Sequence, residues 1–229
     1  MMKRAAHGTY AMIAGVVYLA LITNVLLVIS CLPLVLLLIT TDPARSWPLL
    51  AAAAPFCAPG VSAAFATFKE FSRNGVTPAR AFVAGWLATW RRAFQLGALV
   101  TAVVVVLIVD VRFFADSSIG VAVVPVLAVL TVMVIAVGLV SLVAISDAPG
   151  ARLRDVIRAS VYLSVRRWYL TVVSLLVVAT QVAVFANLPA IALGLTAAPA
   201  LYLAWANSRY TLRPVLTIDD VPALLPSRS

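Results

Sequence analysis

Nucleophilic attack, metal binding and proton transfer need side chains that are scarce in this 229-residue chain, which holds one His, two Cys and eight acids. His7 stands in the N-terminal tail, and Cys31 and Cys57 both fall in long apolar runs, where a disulfide framework is not indicated. No cluster of His, Cys and carboxylates has the spacing of a metal site. Nor is there a Ser-His-Asp arrangement or a glycine loop that could cradle a phosphate. No catalytic residue, metal or cofactor is therefore expected, and the chain reads as a non-enzyme. The ionisable pair that stands out is Asp110 and Arg112. Residues two apart do not face each other on a helix, so they read as charges that stop a span, with an inward-turned Asp110 as the alternative. The polar candidates inside apolar runs are Asn24, Gln95, Gln181 and Asn187, whose commonest use in a membrane is an interhelical hydrogen bond.

Composition says what must position these groups. Hydrophobic residues make up 64% of the chain, charged residues 11%, and the mean hydropathy is +1.09, too little polar surface for a water-soluble globule. The chain is an integral membrane protein by this reading. Residues 5–41, 46–68, 93–109, 117–146 and 168–208 carry no Asp, Glu, Lys or Arg. A spanning helix needs about 20 residues, so the first four stretches give one span each. The fifth must fold back, at Asn187-Leu188-Pro189. Six spans are predicted, at about 10–40, 47–69, 93–112, 118–146, 168–187 and 189–207, in an all-α polytopic bundle. The first is taken as a retained span rather than a cleaved signal, because its apolar run is too long for one. Alternating the connections puts fifteen of the seventeen basic residues on one side, leaving Arg45 and Arg112 on the other. By the positive-inside rule that side and both termini are cytoplasmic. The net charge of +9 follows from those connections and implies no nucleic-acid partner. Arg outnumbers Lys fifteen to two, which suggests a GC-rich bacterial genome.

Two basic stretches, "GVTPARAFVAGWLATWRR" from Gly75 and "GARLRDVIRASVYLSVRR" from Gly150, lie 75 residues apart. The same offset carries the second span onto the fourth and the third onto the fifth, so a parallel repeat of 47–112 on 122–187 is a possible reading within one membrane domain, 1–216, followed by a flexible tail, 217–229. Each stretch is expected to form an amphipathic elbow helix on the cytoplasmic surface. In the first, Thr77 and Pro78 are N-cap and N1 residues. Ala79, Phe82, Val83, Trp86, Trp90, Ala93 and Phe94 form its apolar stripe, opposite Arg80 and Arg91. In the second, Leu153, Val156, Ile157 and Leu163 share a face with Ser160 and Ser164, away from Arg154, Arg158 and Arg166. The elbows read as helices resting in the interface, as a docking surface for a partner, or as a site for anionic lipid. Arg80, Arg91, Arg92, Arg154, Arg158, Arg166 and Arg167 are the candidate contacts, and Asn24, Asp110 and Gln181 the candidate intramembrane polar residues.

The segments "NVLLVISCLPLV" (Asn24 to Val35), "APGVSAAFATFKEFSRNG" (Ala58 to Gly75), "VDVRFF" (Val109 to Phe114) and "ANSRYTLRPVL" (Ala206 to Leu216) resemble the YesL family of small bacterial integral membrane proteins. The resemblance runs from about residue 10 to residue 216. It departs from the family at Pro59-Gly60, where the family has Gly-Pro after a shorter loop. The resemblance implies a supporting role in sugar uptake, since family members often accompany carbohydrate ABC importers and glycoside hydrolases. Two function classes stay open: an accessory or assembly partner of a membrane complex such as a carbohydrate ABC importer, and a small-solute carrier or channel.

Overall fold

A computed structural model describes residues 2–74, 77–166, 168–188 and 191–219. Apart from short connections these are helical, with no strand among them. In chain order the helices are α1 (Met2–Ser30), α2 (Leu32–Thr40), α3 (Pro43–Ala53), α4 (Cys57–Asn74), α5 (Pro78–Phe114), α6 (Gly120–Asp147), α7 (Leu153–Arg166), α8 (Trp168–Asn187) and α9 (Ala197–Asp219). Three stretches are long and apolar enough to cross a membrane: Pro43–Arg73, Pro78–Phe114 and Gly120–Asp147. The pair Ala14–Ser30 and Leu32–Thr40 makes a fourth if its 73° bend is counted within one span.

Prolines account for most departures from the six uniform spans. Pro33 has no N–H to give to the turn before it, and the first span breaks there, with Cys31 as the joint. Pro43 opens α3 behind Asp42, whose carboxylate accepts from the Ala44 N–H at 2.9 Å. Pro55 sits in a short 3-10 turn, Ala54–Phe56, that joins α3 to α4 without ending the span. Pro149 stops α6 at Asp147, because the residue ahead of a proline is pushed out of helical geometry. The last run does fold back. Gln181 of α8 meets Ala192 and Thr196, and Asn207 of α9 meets Leu170 and Ser174, the pairing of an antiparallel hairpin. α8 runs for 20 residues, with a described apolar stretch at Val172–Phe185, and α9 is preceded by a π turn, Ala192–Thr196.

The first elbow differs most from expectation. No boundary separates residues 78–92 from the third span: α5 is one helix of 37 residues, about 55 Å long. Its protein-facing side takes in Phe82, Trp86 and Ala93 of the expected apolar stripe but not Val83 or Trp90. Ala81, Phe82, Thr89 and Ala93 are buried, while Val83 and Trp90 are exposed. Small residues set this face. A Cβ on Gly85 would lie 2.7 Å from Ala66 Cβ, and one on Gly97 would lie 2.7 Å from Ala58 Cβ, so α4 and α5 pack too closely for larger side chains. Trp86 is half-buried against the core, and the Trp90 ring stacked on it at 6.4 Å is exposed. Gly60 brings α1 against α4 in the same way, since its Cβ would lie 2.6 Å from Ser30 Cβ. The core between α1, α4, α6 and α9 is filled by Leu19, Phe65, Phe68, Val143, Ala198 and Trp205. Many Val, Ile and Leu side chains point outward, as lipid contact requires.

Candidate functional site

Asn24 and Gln181, far apart in sequence, meet at the π turn. In an unbroken helix the Ala198 N–H would bond to the Gly194 carbonyl four residues back. Instead it donates to Asn24 Oδ1 at 2.7 Å, while Asn24 Nδ2 donates to the Gly194 carbonyl at 2.9 Å. One carboxamide from α1 has been spliced into a gap in another helix's hydrogen-bond ladder. Pro199, which has no N–H, follows directly and weakens the next rung. Gln181 repeats the device one turn earlier: Nε2 donates to the Ala192 carbonyl at 2.9 Å, and Oε1 accepts from the Thr196 hydroxyl at 2.9 Å. Asn24 is buried, and both oxygen and nitrogen of each amide are engaged. These amides satisfy backbone groups that hydrocarbon cannot. Asp110 is not part of this cluster. It is half-exposed near the end of α5 and makes no ion pair among the described residues.

Sequence reasoning missed a second constellation. Asp147, at the end of α6, has a side chain only 3% exposed. Lys69 Nζ of α4 lies 3.1 Å from its Oδ1 and also donates to its main-chain carbonyl at 3.1 Å. Arg209 Nε of α9 lies 3.7 Å from Oδ2, and its guanidinium sits 5.3 Å from the centre of the Trp205 ring. A buried carboxylate is tolerable only when paired, and here two cations hold it. The signal was present: these three charges end the second, fourth and sixth predicted spans on one side of the membrane. Counting them only toward orientation hid the pairing.

The candidate arginines divide. Arg92 is turned inward and donates to the carbonyls of Pro149 and, at 2.7 Å, Ala151, which ties α5 to the α6–α7 turn. Arg80, Arg91, Arg154, Arg158 and Arg166 are exposed and have no acidic partner among the described residues. Arg91 lies 5.2 Å from the Trp90 ring centre, and Arg166 reaches the Tyr162 hydroxyl at 3.3 Å. Under α7, Val156, Ser160, Leu163 and Ser164 are buried, with Val156 packed beside Leu96 of α5 and Ile145 of α6. The three arginines of α7 therefore stand on its outer face. Arg167 lies outside the described residues.

Chemically this end of the molecule offers fixed cations and indole faces. It can hold carboxylates or phosphates, and among the described residues it displays no nucleophile paired with a base. Comparison of the chain with protein-family profiles, with curated proteins and with solved structures finds no match.

Proposed function

We propose that the chain is a non-catalytic accessory protein of the bacterial cytoplasmic membrane, with six spans and both termini inside, that docks a membrane complex of the carbohydrate ABC importer kind. The observation that carries this reading is the division among the cations. Lys69, Arg209 and Arg92 are committed to internal partners. Five arginines on α5 and α7 are left exposed, with no acidic partner among the described residues. Internal cations explain folding, while the exposed ones are available to an anion from outside. An acidic loop of a partner supplies one, and a planar guanidinium binds carboxylates in a two-pronged geometry that an ammonium cannot reproduce. The resemblance to the YesL family supplies the choice of importer.

The second reading, a small-solute carrier, draws on the bend at Cys31 and the π turn, since interrupted helices build the substrate sites of many carriers. What favours docking over transport is that the amides beside the π turn are occupied by backbone groups. Reconstitution separates the two. The purified chain in liposomes is expected to give no sugar flux above empty vesicles, and importer subunits are expected to co-purify with it from native membranes. Flux by the chain alone would replace the accessory reading with the carrier.

A further inference from the structure

The bend at Cys31 swings α2 off the axis of α1, and α3 returns beside it. These two short helices and the facing parts of α5 and α6 form a half-open cavity of about 550 Å³, lined among others by Leu34, Trp47, Ala51, Val104, Ile135 and Arg112. That volume is in the range of ligand sites, roughly 300–1,000 Å³. Its walls are almost wholly apolar, and Arg112 is the one ionisable residue in the lining.

Arg112 is out of place by the usual rules. It stands in the last turn of α5, at the end of the bundle away from the arginine-rich connections, where basic residues are disfavoured. It is exposed and has no acidic partner among the described residues. Arg45, the other basic residue at that end, pairs with Asp42 at 3.9 Å. Asp110 precedes Arg112 by two positions and so faces elsewhere on the helix. A lone guanidinium on the rim of an apolar cavity matches an amphiphile with a hydrocarbon chain and an anionic head.

We propose that the cavity holds an acyl chain of an anionic phospholipid drawn from the leaflet opposite the arginine-rich connections, with the lipid phosphate on the Arg112 guanidinium. The chain fills the space left by the bent first span, and the phosphate supplies the partner that Arg112 lacks. The assignment depends on neither the docking nor the carrier reading.

The full-length chain in detergent is titrated with equal amounts of phosphatidylglycerol and phosphatidylcholine, and the one-to-one adducts are read by native mass spectrometry. Phosphatidylglycerol is expected to lead by about fivefold, the effect of one basic residue beside an anionic lipid. Arg112→Gln should bring the two lipids to parity, Arg45→Gln should leave the preference intact, and Ala51→Phe should lower both adducts by filling the cavity. Arg112→Gln alters an exposed side chain and is expected to fold, so the test stands even if Ala51→Phe does not. A preference that survives Arg112→Gln would overturn the proposal by placing the lipid on the other arginines. Equal adducts with the unaltered chain would overturn it as well.

Discussion

From Pro78 to Arg92 the chain runs straight on into a long apolar helix, and the matching stretch from Leu153 to Arg166 leads, through a residue outside the described ones, to α8 from Trp168. The two stretches bury the same register. Ala81 and Val156, Phe82 and Ile157, and Thr89 and Ser164 are pairs 75 residues apart that face the protein, while Arg91 and Arg166 both face out. Their neighbours differ. In the first stretch Ala81, Gly85 and Ala93 let α5 lie close along α4, while Phe82 enters the core. In the second, Val156 and Ile157 pack beside Leu96 and Ile145, and Leu163 joins the core of α1, α4, α6 and α9. The same charge pattern thus goes with two packings, small residues against a neighbouring helix in the first stretch and branched ones filling hollows in the second.

The sharpest way to break the comparison is a proline at the matching junctions. Ala93→Pro falls inside continuous α5 at a fully buried position and is expected to cost about 3 kcal/mol or more. Trp168→Pro stands at the matching position 75 residues on, and should cost as much where α7 runs on into α8 and far less where a helix begins there. Thermal unfolding of the two variants in detergent reads the difference, and equal losses would mean that the junctions are alike.

The next effect concerns what ties the two regions together. Asp147→Leu leaves Lys69 and Arg209 facing each other without their carboxylate. The loss should be up to about 3 kcal/mol, the low end for a broken buried pair because both cations still reach solvent. Asn24→Leu strands the Gly194 carbonyl and the Ala198 N–H and should cost about 2 kcal/mol. Both losses are read as shifts in unfolding temperature. An unchanged Asn24→Leu protein would show that the splice at the π turn is incidental.

The smallest effects separate adjacent arginines. Arg92→Gln removes the tie to Pro149 and Ala151 and should lower stability by about 1 kcal/mol. Arg91→Gln, one residue earlier but exposed, should stay within about 0.5 kcal/mol of the parent. Matching losses for the pair would erase the division between internal and outward cations.

The all-α architecture and the hairpin of the last run were legible from charge-free lengths and from Asn187-Leu188-Pro189. Asn24 and Gln181 were legible as polar groups in apolar runs, yet their shared target was not, because nothing in the local sequence marks a π turn. Asp147 was overlooked for a related reason: pairing among α4, α6 and α9 is tertiary, and a charge ending a span looks the same whether it faces water or two cations. The unbroken α5 was hidden because an amphipathic pattern with a good N-cap and N1 proline describes the start of a long helix as well as a short one.

The central claim is that the outward arginines of α5 and α7 hold a partner. Its most direct test is to replace Arg80, Arg91, Arg154, Arg158 and Arg166 together by Lys, which preserves charge and topology but not the two-pronged guanidinium geometry. The account predicts a protein that inserts and unfolds like the parent, while importer subunits no longer co-purify with it from native membranes. Undiminished co-purification with the five-lysine protein would contradict it.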